Sequence, residues 1–276
     1  MSGGIFSRLF SKVKRPNEEF AEMSFMDHID MLRKHLFRIA IYVGIGMLVA
    51  FFNKEFLFNY IILGPLNPDF PTYKFFCSLS ELTCITPPKT EIFTRELSEA
   101  LMIHLQASFF VGIFISSPFV IKEIWDFVKP GLYEKEREAT QGIVVILSLL
   151  FIIGVLFGFY ILAPFSMSFL SSYNVSDLVK SSATLSSIVN MIVMFTFFTG
   201  IVFELPLAVY FLAKLGMLGP KFMRTYRRHA FLVLALVAAI ITPPDVISMI
   251  IVLIPLSLLY EISIYVAARN FPKEEI

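Results

Sequence analysis

Glu204 lies inside a long apolar stretch, in Phe203-Glu204-Leu205-Pro206. A carboxyl at membrane depth is expensive unless it faces protein or water. Such a residue therefore either meets a polar partner in the membrane or ties two helices together by a hydrogen bond. Pro206, two residues on, has no N–H to donate and leaves the carbonyl of Val202 without its helical donor. Glu261 poses the same two readings nearer the end of an apolar run. Glu136 is a different case. With a helix starting after the Pro130-Gly131 break, its helical neighbours are Tyr133, Ala139, Leu132 and Thr140, none of them basic, whereas Glu134 has Arg137. An unpaired carboxylate in a basic segment is open to an external cation, above all a bidentate guanidinium. An ordinary solvated glutamate is the plainer reading.

Residues 24–36 carry Phe25, Ile29, Leu32 and Leu36 at helical spacing, which gives an amphipathic helix leading into the first apolar run. His28, Asp30, Arg33 and Lys34 lie on its other faces, and Asp30 is expected to pair with Arg33 or Lys34 along the helix. His28, His35, His104 and His229 are scattered, and no nucleophile, metal-ligand or phosphate-loop motif is present. No catalytic residue, metal or cofactor is expected. Cys77 and Cys84 are too few for a disulfide framework; a local disulfide and two free thiols are the two readings.

The elements that must position these residues are membrane spans. The 276 residues are 57% hydrophobic and 16% charged, with a mean hydropathy of +0.75. A soluble domain carries about 25% charged residues, so the excess apolar surface has no aqueous home. The net charge of +1 names no class of partner, and no nucleic acid is expected. A spanning helix needs about 20 apolar residues. Stretches 36–58, 100–121, 142–165 and 185–212 meet that length. Residues 230–241 and 246–260 are shorter runs joined by Thr242-Pro243-Pro244-Asp245. The first of them makes only about 18 Å of helix. Paired prolines and an aspartate suit a turn at the water boundary better than a midplane crossing, so two short spans are expected.

Charge sets the orientation. Of the 23 lysines and arginines, all but Lys54, Lys74, Lys89, Arg95 and Lys180 fall on one side of a six-span arrangement. The expectation is an all-α polytopic membrane protein of six transmembrane helices, N-in and C-in, with the last two spans short. It forms a single membrane domain over 1–276. Within it lie a cytoplasmic amphipathic segment (1–38), a Pro-rich outer loop ordered over the outer face (59–98), cytoplasmic loops (122–141 and 213–229) and an outer turn (242–246). The start of the chain has no short apolar stretch with a cleavage site, so no cleaved signal peptide is expected.

From about Met23 to Ala268 the chain resembles the TatC family, the receptor and core subunit of the twin-arginine protein translocase. The resemblance rests on His28-Ile-Asp-Met-Leu-Arg33 and on Trp125–Arg137 with its Pro-Gly-Leu-Tyr-Glu-Lys-Glu-Arg stretch. It rests also on Phe203-Glu204-Leu205-Pro206, Thr242-Pro243-Pro244-Asp245 and Leu259-Tyr260-Glu261, in that order. It implies a multi-pass protein of the bacterial cytoplasmic (inner) membrane that binds twin-arginine signal peptides of folded cargo. It also implies assembly with TatA/TatB-type single-span proteins, homo-oligomerisation within the complex, and export driven by the proton-motive force. By the same resemblance Glu136 and Phe127 match loop residues for the signal arginines, with Tyr133, Arg137 and His28 beside them. Glu204 matches the intramembrane acid, and Pro65 a proline of the outer loop. Thr242, Pro244 and Asp245 belong to a partner-docking cluster.

Two positions depart from the family. Its second arginine-binding carboxylate falls at Met31 here, with Asp30 the nearby substitute, about 100° round the helix. The polar residue four after Asp245 is Met249, so docking is expected to be more apolar. The rival reading is a secondary transporter with an intramembrane Glu, whose pocket would draw on Glu204, Thr196, Thr199 and Gln106.

Overall fold

The computed structural model describes residues 25–79, 84–88, 91–129, 142–173, 182–214, 216–243 and 245–270. Long apolar runs become helices because, in lipid, each backbone N–H and C=O must be satisfied within its own segment. Helix α1 spans Phe25–Phe52, α2 Pro71–Leu79 and α3 Glu99–Val128. Helix α4 spans Ile143–Ser172 and α5 Leu185–Lys214. After them come α6 (Pro220–Thr225), α7 (Arg227–Ile241) and α8 (Val246–Asn270). Helices α1, α3, α4, α5 and α8 are each long and apolar enough to cross a membrane. Helix α7 has 15 residues, about 22 Å.

Three elements run further than the apolar runs suggest. Helix α3 continues to Val128, so Trp125 and Phe127 stand on a helix rather than in a loop beginning at 122. Lys122, Glu123 and Asp126 end the hydropathy but not the helical periodicity, and Trp125 is buried against Ile143 and Leu207. The last helix has 25 residues, which corrects the expectation of two short final spans: only α7 is short. Glu261 does not stop α8, because Arg227 Nη2 donates to its Oε2 at 2.7 Å. Beyond it, Ile264 and Ala267 pack on Val209, Ala213 and Met223. Helix α4 reaches Ser172 through a widened turn at Gly158–Leu162, just before Pro164. Helix α5, in contrast, is broken at Phe203 and Glu204.

The helices meet through glycine. A Cβ on Gly46 would lie 2.7 Å from the carbonyl oxygen of Gly112, and one on Gly112 only 2.5 Å from the nitrogen of Met47. Helices α1 and α3 therefore cross backbone to backbone, as small residues permit in membranes. At the α4–α5 crossing a Cβ on Gly154 would lie 2.6 Å from Thr199 O. There Thr199 Oγ1 donates to Gly154 O at 2.8 Å. The shared core includes Leu57, Leu162, Val189, Phe195, Ile241 and Leu256.

At one end a cap covers the bundle. Helical turns continue past α1 to Ile62, so the expected loop starts later than residue 59. Pro65 is fully buried, and its carbonyl accepts from the Tyr73 hydroxyl at 2.6 Å. Burial pushes the Tyr73 phenol above its ordinary range. Phe70 stacks 5.4 Å from Tyr160, and Phe76 meets Phe165 at 5.0 Å. A disulfide joins Cys77 to Cys84. Ser168 Oγ donates to Thr86 O at 2.7 Å. Strand β1 (Glu91–Phe93) pairs in parallel with β2 (Ser182–Thr184). These contacts tie the proline-rich segment to α4 and α5.

Candidate functional site

From the Gly46–Gly112 crossing, α1 and α3 run antiparallel toward the basic end of the molecule, and aromatic and charged pairs follow at helical spacing. Tyr42 meets Phe119 with ring centroids 5.5 Å apart. One turn on, Glu123 Oε2 lies 2.6 Å from His35 Nδ1 and 3.5 Å from Arg38 Nη1. One turn beyond that, the Phe127 ring stands 4.6 Å from His28 and 6.0 Å from His35. Phe119, Glu123 and Phe127 share one face of α3 because they are four residues apart. The Glu123 side chain is only 8% exposed, whereas that of Arg38 is 58% exposed.

Two expected site residues, His28 and Phe127, thus come together. Asp30 does not join them. It is exposed, and the expected local ion pair is absent: Asp30 makes none with Arg33 or Lys34 among the described residues. Met31 lies on the partly buried stripe that continues through His35, while Asp30 points about 100° away. Tyr133, Glu136 and Arg137 lie outside the described residues. Glu123 is the residue sequence reasoning missed. Its helical neighbours Phe119, Val120, Asp126 and Phe127 are not basic, and the criterion that singled out Glu136 would have found it.

The second acid sits at the break in α5, beside the Gly154–Gly200 contact with α4. Both carboxyl oxygens of Glu204 are shielded from solvent and neither has a hydrogen-bond partner among the described residues. The backbone of Phe151 lies beside the carboxyl without hydrogen-bond geometry. The break follows from the sequence: Pro206 cannot bond back to Val202, and Glu204 N turns instead to Ile201 O at 3.1 Å. Glu261, the third acid, takes the exposed Arg227 pair already described.

At the α7–α8 turn, Thr242 is buried and its Oγ1 donates to Ala238 O at 2.9 Å. Asp245 Oδ1 accepts from Ser248 N at 2.6 Å, the bond by which an N-cap satisfies a helix's free donors. Asp245 Oδ2 is buried without a hydrogen-bond partner among the described residues. Met249 packs at the edge of the core, and Pro244 lies outside the described residues.

The polar residues that a transport pocket would need do not converge. Thr196 and Thr199 hydroxyls donate to Ile192 O at 2.7 Å and Gly154 O at 2.8 Å, and Gln106 Nε2 donates to Asn190 Oδ1 at 2.7 Å. A cavity of about 600 Å³ does open between α1, α3, α4 and α5. Its wall is apolar, with Asn53, Tyr160 and Thr196 the polar residues on it.

The family model for "Sec-independent protein translocase protein (TatC)" matches residues 27–255. The TatC protein of Blattabacterium sp. subsp. Periplaneta americana is 36% identical over 253 residues, 89% of this chain and 95% of its own length. TatCy of Bacillus subtilis (strain 168) is 32% identical over 92% of each chain. A crystal structure described as the twin arginine translocase receptor TatC superposes with a TM-score of 0.68 at 29% identity, covering 87% of this chain and 97% of that one. The same receptor in DDM gives 0.69, over 86% and 98%. Paired glycine crossings, a buried acid at a broken helix and a capped multi-pass bundle thus sit in a chain that belongs to the TatC family of protein-translocase components.

Proposed function

We propose that this protein binds the twin-arginine signal peptides of folded cargo at the basic ends of α1 and α3, as the receptor and core of a translocase in the bacterial inner membrane. The observation that carries this reading is the grouping of His28, Phe127 and the buried Glu123 carboxylate there, directly before the segment that bears Tyr133, Glu136 and Arg137. Carboxylates beside an aromatic ring suit guanidinium, which lysine cannot replace in bidentate geometry. The likeness to crystal structures of a twin arginine translocase receptor supports it. Six spans are favoured because Arg227 at the start of α7 meets Glu261 deep along α8, which lays α7 antiparallel beside a helix long enough to cross. An even number returns both ends to the cytoplasm with most lysines and arginines.

In this reading Glu204 and the turn of Thr242, Pro244, Asp245 and Met249 receive TatA/TatB-type single-span partners, with further copies of this chain in the complex. The short α7 thins the bilayer locally, and the proton-motive force drives export. The test is photocrosslinking of the purified protein to a twin-arginine peptide and to its twin-lysine counterpart. Strong labelling by the first alone is expected; equal labelling by both would overturn the receptor reading.

A further inference from the structure

We infer that Glu123 is a second arginine-accepting carboxylate of this site, and that Arg38 occupies it until a signal-peptide arginine takes its place. The inference rests on the receptor reading above. A ligand with two adjacent arginines calls for two acceptors. In the receptor reading Glu136 is one, while Asp30 is exposed on another face of α1 and makes no ion pair among the described residues. Glu123 has what Asp30 lacks. Its carboxylate is nearly buried, fixed by the 2.6 Å contact to His35, and placed one helical turn from Phe127 on the same face of α3.

The site also already holds a guanidinium, and holds it loosely. Arg38 reaches Glu123 with one nitrogen at 3.5 Å, while more than half of its side chain remains exposed. Both His35 and Arg38 contact the same oxygen, Oε2. Among the described residues no hydrogen bond reaches the other oxygen, Oε1. A guanidinium that engages both oxygens in the planar fork gains a charge-assisted bond that Arg38 does not make. Exchange of one arginine for another needs no unpaired buried charge at either end, because Arg38 swings to water from an already exposed position. Phe127 and His28 then form the apolar wall against which the incoming arginine stem packs.

The test uses the full-length protein in detergent and measures binding of a fluorescent twin-arginine peptide and its twin-lysine counterpart to wild type, Glu123→Gln, Asp30→Asn and Arg38→Gln. Glu123→Gln is expected to weaken twin-arginine binding about tenfold or more and to erase most of the preference over lysine. Arg38→Gln, by removing the competing occupant, is expected to tighten it about threefold or more. A purely structural Glu123 would not produce that gain. The inference is overturned if Glu123→Gln binds like wild type, if the loss falls on Asp30→Asn instead, or if Arg38→Gln weakens binding. A wild type that does not distinguish the two peptides sinks the receptor reading itself, whereas a discriminating wild type with an unaffected Glu123→Gln sinks this inference alone.

Discussion

At the basic end of α1 and α3, Glu123 is buried and its two partners among the described residues arrive from the neighbouring helix. At the α4–α5 crossing, both carboxyl oxygens of Glu204 are shielded and have no hydrogen-bond partner among the described residues. The two acids share a chemical type and differ in what the helix across from them offers. Helix α1 presents His35 and Arg38 to α3. Helix α4 meets α5 there through Gly154, with the Phe151 backbone beside the carboxyl. A satisfied buried acid fixes a geometry, whereas an orphan one is a standing loss that another molecule can relieve. The first suits recognition by a prepared surface and the second suits assembly.

Three replacements, each read as a thermal-stability change in detergent, test whether the two acids differ in this way. Glu123→Leu has the largest expected effect, a loss of about 2 kcal/mol, because it strands the largely buried His35 and removes a charged link between α1 and α3. Glu204→Leu is expected to act in the opposite direction, raising stability by about 1 kcal/mol as an unpaired buried polar group disappears, while co-purification of single-span partners falls. If both replacements destabilise alike, Glu204 has a partner after all and the contrast fails. Arg227→Ala has the smallest effect, about 0.5 kcal/mol or less, since its bond to Glu261 is half exposed and water replaces it. A larger loss would mean that this pair, too, belongs with the buried ones.

Much of this architecture was legible in the sequence, because hydropathy reports directly on which segments can lie in lipid. The break at Phe203 and Glu204 and the turn at 242–245 followed from Pro206 and the paired prolines. The helix ends were not legible. The apolar runs stop at Ile121 and Tyr260, but a backbone continues as helix wherever its charges find partners, as Glu123 and Glu261 do. Asp30 looked like an ion-paired surface residue and the natural stand-in at Met31, because sequence neighbours were the only partners in view. Glu123 meets the criterion that singles out Glu136, but its partners were equally out of view. His35 and Arg38 lie 88 and 85 residues away, and nothing in local spacing brings them together. The segment with Tyr133, Glu136 and Arg137 rests on its sequence and on the family resemblance.

What brings those distant residues into line is the place where α1 and α3 have no side chains between them. Slide α1 by one helical turn and Tyr42 or Ala50 would be driven against the backbone of Gly112, where even a single carbon has no room. The crossing therefore behaves as an indexing pin, with one setting and no neighbouring notch. In that setting residue 35 falls opposite 123 and residue 28 opposite 127, eleven to fifteen residues along α3 from the pin. The place of the proposed arginine seat is dictated by two residues that could never touch an arginine.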